Sequence, residues 1–296
     1  MSINNDILFI GHCTCDEITI KGKTDKLPGG GVYFGATSAG WCLKRFSNDE
    51  HNLSVLTIGN PADFVRIREE LSSCDVKLNL IDSPYTTTFV HSFKDDQPDK
   101  RISSVRDVAR SFEWKDIEKY KAKLFYVNPL FYGEIDPELF KLMKNNCEIV
   151  FVDSQGLIRN RKGNELYHKA PKELENVLSS IDVLKVDAEE AASLSGIKDN
   201  ADEACAFLMT KGPKTILCTQ SAGVAVYEDG KKYWAPFGKW KLEGRTGRGD
   251  TVSAAFLLLH YILGHDIQES LNLAANGCSN KMMHPGAAIK EDFASL

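Results

Sequence analysis

The chain has 296 residues, 43% of them hydrophobic and 26% charged, with a net charge of −5. That balance is ordinary for a globular protein with a sizeable core. No basic tail or Lys/Arg cluster offsets the negative charge, which argues against a nucleic-acid or membrane-surface binder, and the longest apolar run, Ala254 to Leu259, is far too short to span a bilayer.

Met1 to Asp6 lead straight into a strand-like segment, without a basic region or a cleavage site, so a cytoplasmic location is the expectation. The eight cysteines are scattered through apolar surroundings, and Cys13-x-Cys15 lacks a second pair for zinc; they read as reduced, mostly buried thiols. The seven histidines show no metal-ligand spacing.

In chain order, Ile7–Gly11 reads as a buried strand, and Asp16 sits at its junction with the alternating segment Glu17–Lys21, which suggests a strand wet on one face. Asp16 is either a turn residue or a ligand for a hydroxyl-rich substrate. Gly29, Gly30 and Gly31 precede a helix rich in small residues, Ala36–Leu43, and would let a ligand approach the backbone closely. A strand over Leu53–Ile58 and a helix over Pro61–Leu71 follow. Thr86–Phe93 alternates again and runs into the polar stretch Lys94–Arg101. These half-exposed strands can pair into a small sheet that covers a substrate.

Four short apolar runs, 124–127, 149–152, 183–186 and 215–218, alternate with helix-like segments, which is the pattern of a parallel sheet with crossovers. Polar residues collect just beyond them: Asn128, Asp153-Ser154-Gln155, Asp187 to Glu190, and Thr219-Gln220-Ser221. Ligands of such sheets sit there, although strand ends turn polar in any case. The glycine-rich loop Gly244-Arg245-Thr246-Gly247-Arg248-Gly249-Asp250 then opens an apolar helix that stops at Gly264. Backbone N–H groups of such a loop, with the helix behind them, suit an anion such as a phosphate. Asp250 is either the helix cap or a base beside that anion. The spacing fits neither the dinucleotide fingerprint nor a Walker loop. Arg248-Gly249-Asp250 also spells an adhesion tripeptide, but nothing else in the chain supports secretion.

Over essentially its whole length the chain resembles the ribokinase (PfkB) family of carbohydrate kinases. Thr246-Gly247-Arg248-Gly249-Asp250-Thr251 resembles that family's Thr-Gly-Ala-Gly-Asp signature, with Arg248 in the alanine place, and Leu27-Pro28-Gly29-Gly30 its N-terminal glycine signature. Three segments, 31–36, 128–135 and 152–159, together with Thr87-Thr88-Phe89 and Lys100-Arg101, resemble the myo-inositol kinase branch.

The resemblance implies an α/β, ribokinase-like three-layer sandwich with a mainly parallel sheet, forming one domain over residues 1–296, with lid strands from about 14–30 and 85–107. It implies an ATP-dependent phosphotransferase acting on a hydroxyl of a small polyol, myo-inositol, with Mg2+, as a monomer or homodimer. Asp250 would be the base, and Gly247, Arg248 and Gly249 the anion hole. Asp16, Gly30, Gly31, Thr88, Gln155 and Arg159 would hold the acceptor; Lys185, Thr219, Ser221, Gly247, Gly249 and Asn276 would face the nucleotide; Glu190 would lie near the metal. The family's monovalent-cation site uses an Asp two residues before the signature threonine, where this chain has Gly244.

Two other readings stay open. One is a sugar or nucleoside kinase, with Tyr33, Phe34, Phe131 and Tyr132 lining a base slot. The other is a non-catalytic polyol or nucleotide sensor of the same fold.

Overall fold

The computed structural model describes residues 3–20, 23–94 and 97–296. Lys21, Asp95 and Asp96, which the sequence reading had placed in strand and turn, lie outside the described residues, as do the side chains of Lys100 and Arg101. The strands are β1 Ile3–Ile10, β2 Thr14–Ile20, β3 Lys23–Gly29, β4 Leu53–Gly59, β5 Val76–Asp82, β6 Thr88–Lys94, β7 Gln97–Asp107, β8 Tyr120–Val127, β9 Cys147–Asp153, β10 Arg159–Lys162, β11 Glu165–His168, β12 Val183–Asp187, β13 Thr215–Thr219, β14 Gly223–Glu228 and β15 Lys231–Pro236.

A nine-stranded sheet has the order β15-β14-β13-β12-β9-β8-β1-β4-β5. From β5 to β13 neighbouring strands run parallel, while β14 and β15 add an antiparallel edge. Because successive side chains point to opposite faces, β1 feeds two cores. Ile7 and Phe9 pack with Val32, Phe256 and Leu271 on one face; Leu8 and Ile10 pack with Phe140, Leu194 and Leu208 on the other. The result is the expected three-layer arrangement, and the strands are buried runs because helices cover both faces.

The small sheet is also present, in the order β3-β2-β6-β7. β2 begins at Thr14, so Asp16 is a strand residue opposite Leu27 and not a junction residue. The Cys15 N–H donates to Thr87 O at 3.3 Å, which joins β2 to the start of β6.

Three helix boundaries differ from the sequence reading. The helix after the first glycine cluster is Gly31–Phe46, five residues longer at its start, because Gly30 takes the N-cap place at φ 92°. Pro61–Phe64 is a 3-10 turn capped by the Asn60 side chain, and the α-helix runs over Val65–Ser73. The last helix of the glycine loop is α-helical only over Arg248–Leu257; Leu258–Ile262 is a π turn, with the Leu263 N–H bonded to Leu258 O and the His265 N–H to Leu259 O. All eight cysteines are free. No described helix is long and apolar enough to cross a membrane.

Phe151 of β9 is fully buried and stacks on Tyr126 with ring centroids 4.3 Å apart. Phe151→Ala should therefore lower stability by about 3–5 kcal/mol, read as a lower urea midpoint at unchanged m-value.

Candidate active site

The carboxyl ends of β8, β9, β12 and the helix N-terminus at Gly247 meet at one place. Gly247 is the N-cap of the Arg248–Leu257 helix at φ 78°, a left-handed conformation that a side chain would strain. Its Cα also packs on the Phe34 ring, where a Cβ would lie 2.6 Å from Cγ. The first N–H groups of a helix have no partner inside it; here the Arg248 N–H turns back to Arg245 O at 3.2 Å.

Asp250 lies in the first turn, partly exposed to the cleft. Its Oδ1 accepts from Asn128 Nδ2 at 2.7 Å. Asn128 follows β8 directly and is fully buried. A Cβ on Gly31 would collide with the Asn128 amide, so the first helix can approach this closely only through glycine. Burial pushes the Asp250 carboxyl above its ordinary range, with the Lys185 ammonium and the Asn128 amide pulling the other way.

Lys185 of β12 is buried between Asp153 Oδ2 at 3.2 Å and Glu190 Oε2 at 3.4 Å. Its stem passes Gly249, where a Cβ would stand 3.1 Å from Lys185 Cε. Burial opposes its charge, but Asp153, Glu190 and Asp250 outweigh this and hold the ammonium firmly protonated. Burial pushes Asp153 up to about 7 against the pull of Lys185. Glu190 is the third residue of a capping box: the Asp187 side chain accepts from the Glu190 N–H at 2.7 Å, and Glu190 Oε2 accepts from the Asp187 N–H at 2.8 Å and Ser154 Oγ at 2.9 Å. Glu190 Oε2 is thus already engaged. No group of three or more His, Cys, Asp or Glu side chains converges as a metal cage among the described residues. Mg2+ fits beside Glu190 only with water and donor oxygens completing its shell, which suits its reluctance to dehydrate.

On the side of the small sheet, Asp16 Oδ1 and Thr14 Oγ1 are buried without hydrogen-bond partners. Both side chains crowd the Cα of Gly29, where a Cβ would collide with them. Asp16 Oδ2 is 3.6 Å from His91 Nε2. Unsatisfied buried acceptors cost free energy unless something else supplies the donors, and a polyhydroxylated ligand would. Arg159 Nη2 donates to Gln155 Oε1 at 2.7 Å, and its guanidinium lies 6.0 Å from the Phe89 ring of β6. Thr88 is buried, with its hydroxyl donating to Thr86 O at 3.1 Å. Beneath these, His12 Nδ1 meets Thr87 Oγ1 at 2.9 Å, while Glu134 accepts from the His12 and Leu130 N–H groups. Burial pushes His12 down to about 4 and Glu134 up to about 8, so the two face each other uncharged near neutral pH.

Thr219 closes β13, buried, with its hydroxyl toward Val186 O; Ser221 and Asn276 are exposed. The turn after Thr219 reaches the glycine loop through Phe237, whose N–H donates to Ala222 O at 2.8 Å and whose ring carries the Arg248 guanidinium 5.6 Å above it. The four aromatics considered for a nucleoside slot do not form one. Tyr33, Phe34 and Phe131 are core residues, with the Tyr33 hydroxyl donating to Glu70, and Tyr132 is 43% exposed.

Asn128, Asp153 and Thr14 were not assigned a role from the sequence. The first two stand at the carboxyl end of a strand, the position that the parallel-sheet rule marks. Thr14 had no such signal, because only the pairing of β2 with β3 brings it to Gly29.

A carboxylate held by an amide at the head of a glycine-capped helix, with a buried ammonium behind it, can take a proton beside a bound phosphoryl group. This is the constellation of a phosphotransferase. The pfkB family carbohydrate kinase profile matches residues 42–291, and the chain belongs to that family. No curated protein sequence matches. Among solved structures, a pyrophosphate-dependent kinase in the ribokinase family, complexed with a pyrophosphate analog and myo-inositol, is 32% identical, with 98% of this chain and 100% of that one covered and a TM-score of 0.87. A pyrophosphate-dependent myo-inositol-1 kinase converted into a myo-inositol-3 kinase by mutation is 31% identical over 97% of this chain and 96% of that one, TM-score 0.85. Arabidopsis thaliana ribokinase complexed with ribose and ATP shares the fold at 18% identity, covering 99% of this chain and 98% of that one, TM-score 0.76.

The Asn128 amide donates to the charged form of Asp250, so its loss disfavours that form. In Asn128→Ala the Asp250 carboxyl should titrate at higher pH than in the wild type, measured from its 13C chemical shift.

Proposed function

We propose that this protein transfers a phosphoryl group to one hydroxyl of a small polyol, with myo-inositol as the acceptor. The observation that carries the reading is the Asn128–Asp250 bond, which stands between the glycine loop on one side and the unpartnered Asp16 and Thr14 oxygens on the other.

Asp16, Thr14, Gln155, Arg159 and the Gly30-Gly31 backbone hold the acceptor's hydroxyls, and Thr88 bounds the site where the small sheet closes over it as a lid. The reacting hydroxyl oxygen attacks the terminal phosphorus as the bond from that phosphorus to the bridging oxygen breaks; the bridging electrons leave with the departing phosphate, and the hydroxyl proton passes to Asp250. A carboxylate is a weak base toward an alcohol, so the proton moves late, and positioning with charge stabilisation supplies most of the acceleration. The Gly247 and Gly249 N–H groups and the helix behind them face the charge on the transferred group. Lys185 lies beside this loop, near the donor phosphates. Mg2+, held beside Glu190 chiefly through water, neutralises donor charge when bound.

Pyrophosphate is the donor we favour. Arg248 stands where the family signature has alanine, and its guanidinium covers the face of Phe237, whose own N–H is bonded to Ala222 O in the turn after Thr219. That leaves a cation for a second phosphate where an adenine would need an apolar face. Three neighbours above 30% identity carry pyrophosphate in their descriptions. ATP is the second reading, in which the turn that follows β13 at Thr219 and Ser221, together with the exposed Asn276, borders the nucleotide.

The test is phosphoryl transfer from Mg·pyrophosphate and from Mg·ATP to myo-inositol, ribose, fructose and adenosine. Transfer to myo-inositol from pyrophosphate is expected, and Asp250→Asn should lower kcat by about 10²- to 10⁴-fold. Full activity in Asp250→Asn sinks the base assignment. Arg248→Ala should raise KM for pyrophosphate; transfer from ATP alone, indifferent to Arg248→Ala, would replace the pyrophosphate reading by the ATP one.

A further inference from the structure

Lys281 ends the Ile267–Lys281 helix and is fully buried, although nothing in the mechanism above uses it. Its ammonium donates to Gly244 O at 2.8 Å and to Thr246 O, and lies 5.6 Å from the Phe34 ring. The acceptors are thus two backbone carbonyls of the loop that leads into Gly247, together with a ring face, and not a carboxylate. Carbonyl oxygens turned toward one point form the donor set of a bare cation. An ammonium, with three donors and no acceptor, fills the same role from the end of a side chain.

Gly244 completes the picture. A Cβ there would collide with the Met282 carbonyl, the residue next to Lys281, and would crowd His284 O. With the backbone as it stands, position 244 has no room for a side chain, so a carboxylate is not supplied from the place where the family signature has its cation-binding Asp.

The consequence for the loop follows from peptide planarity. The Thr246 carbonyl and the Gly247 N–H belong to one planar trans peptide and point in opposite directions. Holding Thr246 O on Lys281 therefore directs the Gly247 N–H away from Lys281. The Gly244 carbonyl fixes the Arg245 N–H in the same way.

We propose that the Lys281 ammonium is an internal cation that replaces a dissolved monovalent cation and sets the glycine loop for the phosphoryl donor. Lys281 is a positioning residue: it acts on the donor through the loop carbonyls and touches no reacting atom. Burial pushes its pKa down to about 8, opposed by Cys278, Asp292 and Asp250, which leaves the ammonium largely charged at neutral pH. The inference rests on the proposed function only in taking the loop as the donor site.

The test compares full-length wild type, Lys281→Ala and Lys281→Met in potassium chloride and in tetramethylammonium chloride at equal ionic strength. Binding of pyrophosphate and of Mg·ATP is measured by calorimetry, separately from turnover. Wild type should bind its donor equally well in both salts. Lys281→Ala should lose about tenfold or more in donor affinity in tetramethylammonium, as expected for a lost charged hydrogen bond, and recover in potassium or methylammonium; Lys281→Met, whose side chain fills the space, should not recover. A merely structural lysine would not be rescued by a dissolved cation. Potassium-dependent donor binding by the wild type overturns the proposal, and this comparison stands even if both variants fail to fold. Folded Lys281→Ala with wild-type affinity in tetramethylammonium overturns it as well. Cation-independent donor binding by a wild type that transfers to no acceptor would defeat the proposed function while supporting this inference, and a wild type that binds neither donor would defeat both.

Discussion

One buried ammonium set among three carboxylates is the constraint on which the rest of the site depends. Lys185 answers Asp153 and Glu190 directly and Asp250 through space. At an effective dielectric near 20 its attraction to Asp153 at 3.2 Å is roughly 5 kcal/mol, while each ion loses several kcal/mol of hydration on burial. The cluster therefore returns about what it costs and adds little to stability. Its effect is to hold negative charge at the strand ends in a state that one more cation or one more proton would relieve; burial first, and Glu190 and Asp250 after it, push Asp153 up to about 7 against the pull of Lys185.

The geometry is joined by small residues more than by long ones. Gly29 gives room to Asp16 and Thr14, Gly31 to Asn128, Gly247 to the Phe34 ring and Gly249 to Lys185. Each removes a Cβ where two elements must approach closely, so Asp16, Thr14, Asn128, Lys185 and the glycine loop can stand near one another. Asn128 links the halves, since its backbone N–H donates to Ile10 O of β1 while its amide holds Asp250. Displacement of the β1–β8 pair would therefore be felt at Asp250. The small sheet is coupled to the same pair through His12 and Thr87.

The parallel sheet could be read from its four apolar runs, and the small sheet from two alternating segments, because period and length carry that information locally. The β10–β11 and β14–β15 hairpins were not legible. Their strands are short or edge strands, and Lys231–Pro236 carries charge, aromatic rings and proline without clean alternation. The π turn at Leu258–Ile262 was invisible for another reason: an unbroken apolar helix pattern fits α and π geometry alike, and only the closing bonds at Leu263 and His265 distinguish them.

Within the site, the sequence by itself determined which residue types stand at the strand ends and in the glycine loop, and through them the family. Local spacing fixes these, since a glycine-capped helix start and a polar strand end are properties of adjacent residues. Which of those residues face one another was decided by the tertiary structure. Asn128 and Asp250 are 122 positions apart, and Lys281 and Thr246 are 35 apart. Lys281 reads in the sequence as an ordinary basic residue in the last turn of a helix, where a cation is favourable in any protein. Its burial against loop carbonyls arises only when the 267–281 helix packs beneath the glycine loop, because a hydrogen bond between distant residues is set by the meeting of two elements and not by the chain that carries either.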